Sequence, residues 1–117
     1  MYKKSDSAKL ELILKYIRDM ELIVNKHGGV ENTISDIEGE YAIMMCITQI
    51  GEVVNKIEEP NIITSIPSPE IIGLRNRIVH GYEDIDKRII NEIIKTHIPS
   101  LKSSVKSLIA KESKNTS

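Results

Sequence analysis

Ile43, Ile47, Ile50, Val54 and Ile57 recur at steps of four, three, four and three. That spacing lines one face of an α-helix and would scatter over both faces of a strand. Ala42, Cys46 and Val53 widen the stripe. A stripe so broad can bury one flank in its own subunit and the other against a second chain; packing within one core is an equally good reading. Leu10, Ile13, Leu14, Ile17, Met20 and Val24 repeat the helical period upstream, and Ile89, Ile90, Ile93 and Ile94 repeat it downstream. Leu101, Val105, Leu108 and Ile109 continue that last face. The chain has no Phe and no Trp; its only aromatics are Tyr2, Tyr16, Tyr41 and Tyr82. A purely aliphatic core suits helices packed on helices, although isoleucine alone would also suit strands. The expectation is an all-α, up-and-down bundle of about four or five helices, with no sheet.

Punctuation divides the bundle. A first helix is expected from about Ser7 to Lys26, capped by Ser5 or Asp6 and ended at His27-Gly28-Gly29. Thr33 or Ser35 is the expected cap of the second helix, with Asp36 and Glu38 in its first turn, and Glu58-Glu59-Pro60 stops it. A short third helix runs from Glu70 to His80, opened near Pro69 and terminated by Gly81. Asp84 or Asp86 caps the fourth, which Pro99 interrupts with a kink or short break. Residues 110–117 are polar and expected to fray. At 117 residues the chain is expected to form one domain, 1–117.

The net charge of −1 excludes a strongly basic nucleic-acid coat protein. The distribution says more than the sum. No Lys or Arg falls between His27 and Asn55, whereas Arg75, Arg77, Lys87 and Arg88 bracket His80. A local positive site on a neutral body fits a small phosphate-bearing target better than a long duplex. Lys102, Lys106, Lys111 and Lys114 read as an ordinary solvated face. Cys46 is the only cysteine, so no internal disulfide forms, and its apolar neighbours suggest a buried thiol. No apolar h-region follows Met1, and no apolar run reaches ~18 residues. A cytoplasmic protein without a membrane span is the expectation. His27, His80 and His97 are far apart and lack metal-ligand spacing, so neither metal nor cofactor is expected.

Arg75-Asn76-Arg77-Ile78-Val79-His80-Gly81-Tyr82 concentrates the chemistry. Arg75 offers a planar guanidinium for a phosphate oxygen. His80 can move a proton near neutral pH. Asn76 and His80 are four apart and share a helical face. Arg75 and His80 are five apart, roughly 140° around the helix, so only a bent arginine stem would bring them together. Spacing alone favours a plainer reading: solvated arginines, and a histidine at the negative end of a helix.

The pattern R-N-x-x-x-H-x-Y resembles the signature of the HepT-like family in the HEPN superfamily. Its flanks agree. Ile66-Pro67-Ser68-Pro69-Glu70-Ile71-Ile72-Gly73-Leu74 is similar to the proline-led helix that carries the motif, with Ser68 where family members commonly have tryptophan. Gln49-Ile50-Gly51-Glu52 resembles the Gly-Glu element of the second helix, and Tyr82-Glu83-Asp84-Ile85-Asp86 the acidic cap before the last. The resemblance runs from about Ser7 to Leu108. It implies a metal-independent endoribonuclease toxin in which Arg75 holds phosphate, Asn76 orients, and His80 transfers protons. It also implies a homodimer, RNA as substrate, and an MNT-type nucleotidyltransferase antitoxin that adenylylates Tyr82. The alternative is a non-catalytic helical binding subunit for that nucleotidyltransferase.

Overall fold

The structure is a computed structural model that describes residues 4–116, and side chains only as far as residue 112. Every extended element within it is helical, as the periodicity predicts, and there is no strand among the described residues. Helix α3 (Ile37–Asn55) is central: it packs against α1 (Lys4–His27) on one side and α5 (Ser68–Gly81) on the other. Helix α7 (Ile98–Thr116) returns along α1. Three short helices complete the path: α2 (Val30–Ser35), α4 (Pro60–Ser65) and α6 (Lys87–Glu92). The core is one aliphatic cluster. Ile43, Ile47, Ile50, Val54 and Ile57 are all buried in it, together with Leu10, Ile13 and Ile17 of α1 and Leu101 and Val105 of α7. Ser68, in place of a tryptophan, is also buried; its Oγ donates to the Ile63 carbonyl at 2.8 Å.

The ends of the elements differ from the sequence expectation in instructive ways. Asp6 is not an N-cap. Helix α1 already includes Lys4, and Asp6 lies buried within its first turn. Its two carboxylate oxygens accept from the backbone N–H groups of Glu58 at 3.2 Å and Glu59 at 2.9 Å. Lys9 adds a contact at 3.4 Å to Asp6 and donates to the Lys56 carbonyl at 2.8 Å. One acidic side chain thus closes the corner after α3, where helical pairing has run out.

Neither Thr33 nor Ser35 caps α3. Both lie inside α2, and their hydroxyls donate to the carbonyls of Gly29 at 2.7 Å and Glu31 at 2.8 Å. Asp36 is the cap, accepting from the Gly39 N–H at 2.8 Å. Gly28 and Gly29 take φ of 83° and 135°, which turns the chain sharply enough to fit the extra helix. Helix α3 already stops at Asn55, before Glu58-Glu59-Pro60, and Pro60 instead begins α4, since its missing N–H costs nothing in a first turn. Gly81 is not a left-handed terminator: its φ is −161°, and the chain passes directly into a 3-10 turn at Tyr82–Asp84. Asp86, of the two expected caps, opens α6 by accepting from the Arg88 N–H at 2.9 Å.

Pro99 leaves no gap in the chain. Ile93–His97 widen into a π-helical segment that joins α6 to α7. The wider turn absorbs the absent proline N–H and the crowding of its ring against the preceding turn. The backbone of the polar tail is helical to Thr116, and Ser117 lies outside the described residues.

Helices α3 and α5 meet at Gly51. A Cβ there would stand 2.4 Å from the Cβ of Arg75 and 2.7 Å from its Cγ, so only a bare α-carbon permits this approach. Those atoms sit next to the α5 backbone and cannot swing aside. Gly51→Ala is expected to lower the urea-unfolding free energy by ~1–3 kcal/mol, the usual cost of overpacking.

Burial by itself would raise the Asp6 pKa. The backbone donors of Glu58 and Glu59 and the Lys9 ammonium outweigh it and hold the carboxyl below its ordinary value of 3.8. A depressed folded pKa contributes stability above the unfolded value and loses it as pH falls through the folded one. Asp6→Ala should therefore cost ~2–3 kcal/mol at neutral pH by orphaning two donors. Urea titrations should show the gap from wild type narrowing in acid.

Candidate active site

The close approach at Gly51 sets up the first part of the site. With the Arg75 stem lying across the glycine, the next residue of α3, Glu52, meets the guanidinium. Arg75 Nε donates to Glu52 Oε1 at 2.9 Å, and Nη2 donates to the same oxygen. Nη1 turns the other way and donates to Asn76 Oδ1 at 2.7 Å. The arginine therefore bends toward α3 rather than over the imidazole. The carboxylate on the facing helix offers two charge-assisted bonds, and the route around α5 to His80 offers none. Three of the five guanidinium donors are taken, which leaves one on each Nη for an incoming oxygen.

Asn76 and His80 share a face of α5, as their spacing predicts. They line a hollow of about 370 Å³ with Arg77, Gly81, Asp84 and Ile85. Asn76, Arg77 and His80 are all exposed there. Arg75 does not line it, but joins it through Asn76. Because Asn76 Oδ1 is occupied by Arg75, its Nδ2 hydrogens are what it offers to a ligand or to His80. A phosphate-sized group fits the hollow, facing an imidazole, an amide and the Arg77 guanidinium. Asp84 sets a carboxylate at the same rim.

Tyr82 does not line this hollow. Its ring stacks on Tyr41 with centroids 5.6 Å apart and planes at 20°. Its hydroxyl donates to Glu40 Oε1 at 2.6 Å, and Glu40 Oε2 lies 3.1 Å from Lys87 Nζ. Glu40 thus links the Tyr82 hydroxyl to Lys87 of α6. The Glu40 carboxylate, with help from burial, pushes the Tyr82 phenol well above its ordinary range. The bond from Tyr82 lowers the Glu40 pKa; the Lys87 ammonium assists, and burial opposes.

Sequence reasoning named Arg75, Asn76, His80 and Tyr82 but missed Glu40 as a partner of Tyr82. Nothing local could reveal a contact across 42 residues. Glu52 carried a signal, its place after a glycine in a helical stripe, without an assigned task. His27, one of the other two histidines, is a helix-end residue: Nδ1 sits 2.8 Å from the Ile23 carbonyl and Nε2 3.2 Å from the Asp36 carboxylate. Among the described residues no three His, Cys, Asp or Glu side chains gather closely enough to hold a metal ion. None of the described helices is long and apolar enough to cross a membrane.

Comparison with known proteins bears directly on this geometry. The family model described as "Ribonuclease HepT-like" matches residues 13–108, which include the whole site. A Methanocaldococcus jannaschii protein named as a candidate RNase is 31% identical over 111 residues, 93% of this chain and 91% of its own. A second protein of that organism, named likewise, is also 31% identical over 111 residues, 93% of this chain and 95% of its own. The Thermococcus cleftensis protein named "Probable ribonuclease HepT" is 27% identical over 105 residues, 86% of each chain. No solved structure matches significantly. A match across nearly all of the bundle, motif helix included, means that the chain belongs to the HepT-like ribonuclease family.

Proposed function

We propose that this chain is the toxin of a toxin–antitoxin pair and cleaves RNA without a metal ion. The observation that carries the reading is the exposed Asn76–His80 hollow, with Arg75 braced behind it by Glu52. RNA supplies its own nucleophile. A base removes the 2′-hydroxyl proton, the oxygen attacks the adjacent phosphorus, and the 5′-oxygen leaves with a proton from an acid. His80 is the proton-transfer group. Arg75 stabilises the charge that develops on the phosphorane through its two remaining donors, and Asn76 orients the phosphate.

A single imidazole must serve as base and then as acid, so two copies of the motif facing one cleft make a more complete site. The outer flank of α3 supports a homodimer. Ile37, Tyr41 and Met45, each four residues apart, are 70%, 56% and 60% exposed on that flank. This face lies opposite the stripe, whose widening residues Cys46 and Val53 are buried in the chain's own core, and isologous pairing is the commonest way to cover such a surface. The partner implied for regulation is an MNT-type nucleotidyltransferase that adenylylates Tyr82. A second reading, a non-catalytic binding subunit for that partner, draws support from the Arg75–Glu52 pair, which balances the arginine's charge.

His80→Ala and Arg75→Ala should each reduce cleavage of a single-stranded RNA by at least ~100-fold with an unchanged helical circular dichroism spectrum. Wild-type cleavage should persist in EDTA and leave 2′,3′-cyclic phosphate ends. Undiminished cleavage by His80→Ala would assign the activity elsewhere, and loss in EDTA would require a metal mechanism.

Light scattering should give the mass of a dimer for wild type and of a monomer for Met45→Glu. A wild-type monomer at micromolar concentration contradicts the paired site.

A further inference from the structure

We infer that Glu40 is the catalytic base through which Tyr82 accepts a nucleotidyl group, and that Lys87 draws the incoming phosphate to it. The inference rests on the reading of Tyr82 as the modified residue. It adds an acceptor-side residue for that transfer, on a different helix from the motif.

A phenol attacking phosphorus must be aimed and must lose its proton. The structure provides for both. Stacking on Tyr41 fixes the ring plane, and the hydroxyl proton already points at Glu40 Oε1 across 2.6 Å. The other carboxylate oxygen faces Lys87 Nζ at 3.1 Å; the lysine side chain is 62% exposed and the glutamate 19%. A shielded acceptor with a solvent-facing ammonium beside it is more than a tether requires. A glutamine could hold Tyr82 to α3 equally well and would need no lysine.

In the step itself, Tyr82 Oη attacks the α-phosphorus of a nucleoside triphosphate held by the partner enzyme. The Oη–Pα bond forms and the bond from Pα to the bridging oxygen breaks. Pyrophosphate leaves, and the phenolic proton passes to Glu40, which later returns it to water. Because the carboxylate disfavours a free phenolate, the proton departs as the new bond forms rather than beforehand. The groups facing this proton transfer are Glu83 from the 3-10 turn, Lys87 from α6 and Tyr41 from α3. Lys87 is the one cation among them, and it can pair with the new phosphodiester.

The test uses the full chain, an MNT-type nucleotidyltransferase and ATP, read by intact mass and by peptide mapping of Tyr82. Wild type should gain adenylyl units and Tyr82→Phe none. Glu40→Gln should slow the transfer at least ~100-fold, with a rate that climbs with pH where wild type is level. Glu40→Asp, a poorer fit but still a base, should retain more activity than Glu40→Gln. The reverse order, or a Glu40→Gln rate and pH profile equal to wild type, overturns the inference and makes the contact a tether. Those outcomes leave Tyr82 as the modified residue. A wild-type chain that gains no mass on Tyr82 overturns that reading, and the role of Glu40 falls with it.

Discussion

The contact on which the site depends is the crossing of α3 and α5 at Gly51. The missing side chain lets the Arg75 stem lie against the α3 backbone, closer than any Cβ would allow. One oxygen of Glu52 then accepts from Nε and Nη2 along one edge of the guanidinium, and Asn76 receives its far end. The position of the arginine is therefore set by packing rather than by the local helix. The cost of ordering a long, flexible side chain is met during folding, before any ligand arrives. Arg75 presents a fixed pair of donors where a free surface arginine would present a moving charge.

A second long-range contact holds the frame around that crossing. Asp6, near the start of the first helix, satisfies two backbone donors at the corner beyond α3. The corner leads into α4 and then into the motif helix, so the carboxylate fixes where α5 begins. Burying an ionised group is tolerable here because every strong interaction it makes favours the charged form. Together with the Ser68 hydroxyl bond to Ile63, it gives a polar anchor on either side of α4.

Tyr82 and His80 are two residues apart in sequence but face different recesses. The change from α-helix to 3-10 turn after Gly81 rotates the tyrosine away from the imidazole and toward α3 and α6. Control of the cleft by a group on Tyr82 is therefore not a simple matter of adding charge beside Arg75. An attached nucleotide would break the bond to Glu40, sit against Lys87, and disturb the turn that borders the His80 hollow. On the proposed reading, modification at Tyr82 and cleavage at His80 would use separate chemical groups while sharing one short stretch of backbone.

The sequence by itself determined the class of fold, the inward faces and the motif. The helical period of Ile43 to Ile57 survives because hydrophobic burial reads local spacing directly, and nearly every apolar position chosen from it is buried. Asn76 and His80 share a hollow for the same reason: four residues on a helix is a local fact. The ends of helices were less legible. Asp6, Thr33 and Ser35 are all good capping residue types, yet Asp6 bonds 52 and 53 residues away and the two hydroxyls bond back into their own short helix. Residue type states what a side chain can bond to, and the tertiary structure decides which partner is within reach. The same holds for the site. The pairing of Arg75 with Glu52, and of Tyr82 with Glu40, was settled only when α3 packed against its neighbours, because each joins residues whose distance along the chain carries no information about their distance in space.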